Sequence, residues 1–358
     1  MQKTKSWPYI AVSLIFLFLM ITVKPGEGIK LPSSETKKPV INIITSEQTN
    51  VFVPIGSSAV TDSPEEPFSP PSDYSEGLAY RWNDANGAYD LIGLGSCDDY
   101  EIVIPDTYEG YPVTQIALAA FAGTNISGVW IPDTVTVIGN SAFSGCTELS
   151  HVHIGEGVEE IWADAFSTCV NLTKVTMGES VRIIYSQAFL ECVSLDQITL
   201  PYGLEMIDYA AFYGTGLREI HIPETVTTLG NQFVSRAQNL QTITVHKKNP
   251  VYFSSGNCII ERDTGTLIAG CSNSVIPNDG RVTAIGNYVF WGCEDLLRVE
   301  IPRSVKSIGE YAFRGCTNLD MIEYEGTRRE WIAIKKGYNW YAESAIRYVR
   351  CSDGETTP

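Results

Sequence analysis

The apolar residues of the chain recur in a pattern of about 23 residues between Pro105 and Tyr324. The pattern reads Pro-x-x-Val-x-x-Ile-Gly-x-x-Ala-Phe-x-Gly-Cys-x-x-Leu-x-x-Val-x-Ile and occurs eight times. Its Phe position is occupied by Phe121, Phe143, Phe166, Phe189, Phe212, Phe233, Phe290 and Phe313. A repeat sustained at this period predicts a solenoid, in which successive coils of the chain stack on one another.

The other apolar types of the pattern also return to fixed places. The Val column is Val135, Val158, Val181, Leu204, Val226, Val282 and Val305, and the Ile column is Ile138, Ile161, Ile184, Ile207, Leu229, Ile285 and Ile308. One coil cannot bury its own apolar side, so neighbouring coils must supply the core. We therefore expect these columns to point inward and isolated repeats not to fold.

The segment Leu-x-x-Val-x-Ile alternates apolar and polar residues, which is typical of a half-buried strand. The Pro that follows has no amide hydrogen and ends the strand, while the Gly after Ile tolerates backbone angles that other residues avoid. The chain is expected to turn at both places. Stacked strands of this kind predict a mainly β solenoid with parallel strands about 4.8 Å apart.

The repeats also resemble a known family. The stretches Val135-Thr-Val-Ile-Gly-Asn-Ser-Ala-Phe143-Ser-Gly-Cys146 and Val305-Lys-Ser-Ile-Gly-Glu-Tyr-Ala-Phe313-Arg-Gly-Cys316-Thr-Asn-Leu319 are similar to BspA-like leucine-rich repeats. The resemblance extends from about Leu78 to Cys351 and implies a leucine-rich-repeat solenoid, secreted or on a microbial cell surface. Adhesion or the binding of host proteins is what the resemblance implies about function.

Short caps are expected at both ends of the solenoid. Residues Leu78 to Leu94 contain Asn86-Gly87 between two apolar-rich segments, which is a strong hairpin signal. At the other end Thr327-Arg-Arg-Glu330 has the form of a capping box and predicts a short helix to about Lys336. Trp331 should lie on the inner side of that helix.

The repeat is interrupted once, at residues 246–276. Two short apolar runs, Cys258–Ile260 and Thr266–Ala269, flank Asp263-Thr-Gly265 and predict an inserted or projecting hairpin. A two-residue loop would place Cys258 opposite Cys271, whereas a three-residue loop would shift the register by one. The sequence therefore leaves a Cys258–Cys271 disulfide open.

The N-terminus has the features of an export signal. Lys3 and Lys5 precede an apolar run from Tyr9 to Val23, and Gly26-Glu-Gly28 provides a small-x-small cleavage site. We expect residues 1–28 to be a signal peptide, with an uncleaved signal anchor as the alternative. Only an uncleaved segment would bring the chain to a membrane.

The sequence divides the rest of the chain into three parts. Residues 29–77 are rich in Ser, Thr, Pro and charge and predict a disordered linker. Residues 78–351 form the predicted solenoid with its caps, and residues 352–358 are expected to be a flexible tail.

Charge limits the classes of partner. The chain has a formal net charge of −17, and from Leu78 onward it contains 34 acidic and 19 basic residues. Such a field repels phosphate backbones and disfavours nucleic acid, whereas it attracts basic partners. The 44% apolar content is sufficient for a core, which in a solenoid lengthens by repetition.

Nine cysteines in an exported protein raise the question of disulfides, and their odd number leaves at least one unpaired within a single chain. Five of them lie three residues after the Phe of their repeat: Cys146, Cys169, Cys192, Cys293 and Cys316. We interpret these five as small buried side chains. No Cys-x-x-Cys spacing is present, so neither a metal site nor redox chemistry is predicted.

No catalytic constellation is evident. The four histidines are His151, His153, His221 and His246, and His153 and His221 lie three coils apart, too far to share a zinc ion. Adjacent acidic residues such as Glu159-Glu160 point to opposite faces of a strand and do not converge on one bond. We therefore expect neither enzymatic activity nor a cofactor.

The outward column of the strands is the best candidate for binding. It contains Trp130, His153, Thr176, Thr199, His221 and Thr244, followed by Glu300 and Glu323 beyond the interruption. Trp is enriched among the residues that dominate binding energies, which favours Trp130 beside His153. The sequence thus favours a non-enzymatic protein that binds another protein or a surface polymer, with a structural spacer as the alternative.

Overall fold

A computed structural model describes residues 73–358 of the chain. The predicted signal segment at 1–28 and residues 29–72 of the predicted linker lie outside the described residues. The described part is almost entirely β, with one short helix, α1 (Arg328–Ala333).

The strands are β1 (Ala79–Asn83), β2 (Ala88–Gly93), β3 (Glu101–Val103), β4 (Thr107–Tyr108), β5 (Tyr111–Ile116), β6 (Gly128–Ile131), β7 (Val137–Ile138), β8 (His151–Ile154), β9 (Glu160–Ile161), β10 (Lys174–Met177), β11 (Ile183–Ile184), β12 (Met206–Ile207), β13 (Glu219–Ile222), β14 (Thr228–Leu229), β15 (Thr242–Val245), β16 (Tyr252–Ser255), β17 (Cys258–Glu261), β18 (Thr266–Ala269), β19 (Ala284–Ile285), β20 (Val299–Ile301), β21 (Ser307–Ile308), β22 (Met321–Tyr324), β23 (Lys335–Lys336), β24 (Tyr348–Cys351) and β25 (Gly354–Thr356).

The Leu-x-x-Val-x-Ile segments form the parallel strands that the sequence predicts. We call the surface they make the long-strand face; it consists of β3-β6-β8-β10, then β13-β15, then β20-β22-β24 with β25 antiparallel at the end. The face is interrupted at residues 196–200, which have no strand in the described chain. The fold class is therefore confirmed, although the face is made of three sheets.

A second parallel stack lies on another side of each coil. Two-residue strands at the Ile column continue β2 and β5 through β7, β9, β11, β12 and β14, and a further stack joins β18, β19, β21 and β23. We call this surface the short-strand face. Two residues are too few for an alternation to be recognised, so the sequence indicated only a turn here.

The turns differ from expectation in where the left-handed residues fall. Gly139, which follows Ile138, has no left-handed backbone; a Cβ there would meet the Ile116 carbonyl oxygen at 2.5 Å. Its role is thus to let two coils approach. The left-handed positions lie two residues before and two after the Phe, as in Ser141 (φ 54) and Gly145 (φ 74) around Phe143, except at Phe233, where they are Gln232 (φ 62) and Arg236 (φ 57).

The predicted columns form the core. Phe121, Phe143, Phe166, Phe189 and Phe212 stack in one ladder with ring centroids 5.1–5.3 Å apart. The buried thiols extend the same regularity, because each donates a hydrogen bond to the Phe carbonyl of the preceding coil. These bonds join Cys146 to Phe121 (3.0 Å), Cys169 to Phe143 (3.1 Å), Cys192 to Phe166 (3.1 Å) and Cys316 to Phe290 (3.2 Å).

The interruption is integrated into the stack. Instead of one projecting hairpin it forms three antiparallel strands, β16, β17 and β18, and β18 then pairs in parallel with β19. Asn249 joins the insert to the preceding coil: it is buried, donates to the Pro223 and Val226 carbonyls at 2.8 Å each, and accepts from the amides of Val251 and Tyr252.

The disulfide left open by the sequence is not formed. Cys258 and Cys271 are both buried free thiols. None of the nine cysteines forms a disulfide. The β17–β18 connection is longer than either loop considered, and its register places Ile259 opposite Ala269, with an irregularity before Ile260. Continuing that register would bring Gly270, and not Cys271, opposite Cys258.

Both caps contain their predicted elements. The hairpin is present, with Asn83 opposite Ala88 in β1 and β2. The capping box of Thr327 and Glu330 is also confirmed, although α1 ends at Ala333, before the expected Lys336. The expectation of a flexible tail is corrected, because Gly354–Thr356 pairs with β24 and closes the long-strand face.

No helix within residues 73–358 has the length and apolar character needed to cross a membrane.

Candidate binding surface on the long-strand face

Three residues of the predicted outward column are in register on consecutive coils. Trp130 of β6 lies beside His153 of β8, and His153 beside Thr176 of β10. The Trp130 and His153 rings stack with centroids 3.7 Å apart, and His153 Nδ1 is 2.8 Å from Thr176 Oγ1. All three are half-buried, so Trp130 is less exposed than the sequence suggested.

Burial also affects the charge of His153. It lowers the pKa of the imidazole below its usual value, although the nearby carboxylates of Asp133 and Glu156 oppose the shift. The neutral ring is therefore favoured at physiological pH, which suits a stacked aromatic contact.

In a second column of the same strands a hydrogen bond spans two coils. His151 Nε2 lies 2.8 Å from Glu101 Oε2, although Gly128 is between them in the strand register. Gly128 makes this bridge possible, since a Cβ at that position would collide with both side chains. The glycine thus serves the surface and not a turn.

Carboxylates line the edge of the long-strand face where each strand ends. The Asp133 carboxylate accepts the Glu156 amide at 2.8 Å, Glu156 accepts the Glu179 amide at 2.8 Å, and Glu179 accepts the Tyr202 amide at 3.2 Å. We call Asp133, Glu156 and Glu179 the acidic edge. Because one exposed carboxylate occurs per coil, their spacing follows the coil repeat of about 4.8 Å.

The charge of the solenoid is concentrated in its first coils. Residues 78–181 contain 14 acidic residues and only two basic ones, Arg81 and Lys174, for a net charge of −12. Residues 182–358 contain 20 acidic and 17 basic residues, for a net charge of −3. The strongest attraction for a basic partner is therefore at the first coils of the solenoid.

The remaining predicted residues fall into separate places. Thr199 is exposed in the strandless segment, so it does not continue the column. His221 and Thr244 face each other on β13 and β15, with His221 Nδ1 2.9 Å from Thr244 Oγ1. The structure thus divides the six-residue column into Trp130–His153–Thr176 and His221–Thr244.

The C-terminal part of the column is less acidic than expected. Arg298 Nη2 lies 2.6 Å from Glu300 and 2.5 Å from Glu323, and Arg350 lies 3.6 Å from Glu323. The two arginines thus neutralise the carboxylates of Glu300 and Glu323. The repeat pattern predicted neither this pairing nor the acidic edge. Both involve variable positions that the pattern does not define.

The described residues offer no evident reaction centre. Among residues 73–358 no three His, Cys, Asp or Glu side chains are grouped so that they could hold a metal ion. The buried thiols of the core have pKa values raised by burial; that of Cys192 is raised to about 12. The arrangement of rings, ion pairs and carboxylates is suited to binding.

Comparison with known proteins agrees with the repeat pattern. The family described as "BspA type Leucine rich repeat region" matches residues 114–241 and 269–335, with six copies. The matched residues amount to more than half of the chain, and the gap between them includes most of the interruption. No curated protein matches the chain.

Two solved structures have a similar fold, and a third is similar in sequence. A leucine-rich repeat protein from Eubacterium ventriosum is 21% identical with a TM-score of 0.58, over 78% of this chain and 71% of that one. One from Bacteroides ovatus is 22% identical with a TM-score of 0.51, over 79% and 71%. A leucine rich cell surface protein from Faecalibacterium prausnitzii is 26% identical over 75% and 98%, with a TM-score of 0.44.

Proposed function

The chain belongs to the BspA-type leucine-rich-repeat family, and from this premise we propose that it is an exported, non-enzymatic binding protein. Its partner is another protein or a surface polymer, held on the long-strand face. The location is the cell surface or the extracellular space, since residues 1–28 have the features of an export signal.

The observation that carries the proposal is the coincidence of three features on the same coils. The Trp130–His153 stack, the acidic edge and the net charge of −12 all belong to residues 78–181, which include the strands from β3 to β10. Aromatic side chains supply contact area at low entropic cost, and the carboxylates attract and orient a basic partner. Basic polypeptides are thus the favoured class of ligand.

A binding panel tests the proposal. The full-length chain is titrated with purified extracellular-matrix proteins, basic polypeptides and cell-wall polymers, alongside Trp130→Ala and His153→Gln variants. Thr228→Ala on the short-strand face is the matched control, because Thr228 is exposed on another side. We expect a ligand whose affinity falls at least tenfold in the first two variants and stays unchanged in the control.

The alternative is a structural spacer, whose strand face has no specific ligand. In that case no member of the panel binds although circular dichroism shows an intact fold, and removing whole coils changes the phenotype where Trp130→Ala does not. Turnover of a peptide or glycan by the purified chain, abolished by a single carboxylate substitution, would refute the non-enzymatic part of the proposal.

A further inference from the structure

Five aromatic residues outside the repeat columns form a cluster at the first strands. Tyr80 and Trp82 lie on β1, Tyr89 on β2, Tyr108 on β4 and Tyr111 on β5. Tyr80 and Tyr108 stack at 4.1 Å between ring centroids. Trp82 makes edge contacts with Tyr89 (5.2 Å) and Tyr111 (4.9 Å), and Tyr89 makes one with Tyr108 (5.0 Å). We call these five residues the N-terminal aromatic cluster.

The cluster is more exposed than a cap requires. Trp331 and Trp340, which cover the other end of the solenoid, are 1% and 5% exposed. In the N-terminal aromatic cluster, Trp82 is 39%, Tyr108 37% and Tyr111 51% exposed. Tyr80 and Tyr89 pack against the core and suffice for the covering role, whereas the other three rings leave apolar area in water. A contiguous exposed apolar patch with a polar rim is typical of an interaction surface.

Two carboxylates are held at the edge of the rings. Trp82 Nε1 donates to Asp84 Oδ1 at 2.8 Å, and the Tyr89 hydroxyl donates to Glu109 Oε2 at 2.7 Å. Within residues 73–358 the second oxygen of each carboxylate has no hydrogen-bond partner. The rim of the patch therefore presents fixed negative charge beside exposed ring faces.

The same region contains almost no competing cation. Arg81 is adjacent, but it alternates with Tyr80 and Trp82 along β1 and pairs with the buried Asp90 at 3.0 Å on the other side of the strand. Between residues 78 and 181 Lys174 is the only other Lys or Arg. Partly exposed rings, carboxylates at their edges and a net charge of −12 are complementary to a cationic side chain, which binds to aromatic rings and carboxylates together.

We propose that the N-terminal aromatic cluster is a second binding surface, which takes a polypeptide segment bearing arginine or lysine side chains. It is distinct from the Trp130–His153 surface, so each can be lost without the other. Arginine is the preferred residue, because its planar guanidinium stacks on an aromatic ring and also pairs with a carboxylate.

The test uses the full-length chain and defined peptides. Octa-arginine, octa-lysine and a neutral Gly-Ser peptide of the same length are titrated by calorimetry, together with a neutral glycan, chitohexaose. We expect the order octa-arginine, octa-lysine, then no binding for the two neutral probes. The Trp82→Ala/Tyr111→Ala variant should bind octa-arginine at least tenfold more weakly, and Tyr111→Phe, which keeps the ring, within about twofold of the wild type.

Two controls separate a site from general attraction to an acidic protein. Asp84→Asn/Glu109→Gln keeps every ring and should weaken octa-arginine binding at least fivefold. Glu148→Gln/Glu159→Gln removes the same charge from exposed positions elsewhere and should change it less than twofold. Equal loss in the two charge variants would overturn the proposal.

Three other results would also overturn it. These are unchanged octa-arginine binding in the ring variant, binding of chitohexaose in preference to octa-arginine, and no binding of any probe. Trp130→Ala should retain octa-arginine binding at the cluster, so failure of the long-strand proposal and failure of this one are distinguishable. Tyr341→Ala, which removes a ring of similar exposure (37%) at the other end of the chain, should have no effect.

Discussion

Replacing a stacked phenylalanine by leucine should destabilise the chain more than the same change at an equally buried phenylalanine that has no stacked ring. Phe166 is fully buried and stacks on Phe143 at 5.1 Å and on Phe189 at 5.2 Å. Phe233 is 1% exposed and no described ring stacks on it; it occupies the place that Ala188 has in its coil, since its carbonyl accepts the Phe212 amide as the Ala188 carbonyl accepts that of Phe166. Substitutions at Phe166 and Phe233 therefore compare two equally buried side chains, one with stacked rings and one without.

The expected difference follows from the number of contacts. An aromatic pair contributes about 0.5–1.5 kcal/mol beyond the area it buries, so two lost pairs correspond to about 1–3 kcal/mol. The transfer and cavity costs of Phe→Leu are similar at both positions and cancel in the comparison. Phe166→Leu should thus lower the free energy of unfolding by about 1–3 kcal/mol more than Phe233→Leu.

Urea unfolding of the full-length chain measures this difference, followed by both circular dichroism and tryptophan fluorescence to check that the transition is cooperative. A double-mutant cycle between Phe143 and Phe166 isolates one ring pair and should give a coupling of about 0.5–1.5 kcal/mol. Equal destabilisation at Phe166 and Phe233, or no coupling in the cycle, would refute the claim that the ladder adds stability beyond burial.

Four further outcomes follow from individual contacts. Asn249→Ala leaves buried amides and carbonyls of the insert without partners and should lower the free energy of unfolding by about 3 kcal/mol or more in urea titrations. Thr327→Ala removes the helix cap and should cost about 1 kcal/mol by the same assay. Burial raises the pKa of the Cys169 and Cys192 thiols, so a disulfide reagent at pH 8 should react with them only after unfolding; rapid reaction of the folded chain would contradict this. Burial lowers the pKa of His153, so the unfolded state binds its proton first, and stability should fall as pH drops below about 6.5 by an amount that His153→Gln removes.

The sequence predicted the parts of the fold that repetition makes visible. The Phe, Val, Ile and Cys columns are inside because each apolar type recurs at one place, and stacking explains all of them together. The short-strand face could not be predicted, because strands such as Ile183–Ile184 are too short to show a hydrophobic period. The role of Gly139 was misassigned for a related reason, since contact between coils is invisible in a single repeat.

The candidate surface was predictable only in part. Register placed Trp130 beside His153 as the column predicted, whereas the loss of strand at Thr199 has no counterpart in the pattern. The Glu101–His151 bridge depends on a missing side chain at Gly128 between two coils, so it required the three-dimensional register. The polar contacts of the surface are made by variable positions of the repeat. Their partners lie in other coils, so the repeat pattern alone does not predict them.

The most direct test of a binding role for the long-strand face is one comparison of the full-length chain with its Trp130→Ala/His153→Ala double variant against the ligand panel. Both proteins should show the same circular dichroism. The account predicts at least one ligand, most readily a basic polypeptide, whose site on the long-strand face is at least tenfold weaker in the double variant, while binding at the N-terminal aromatic cluster is kept. Equal affinities for every ligand, or no ligand for the folded wild type, would contradict it.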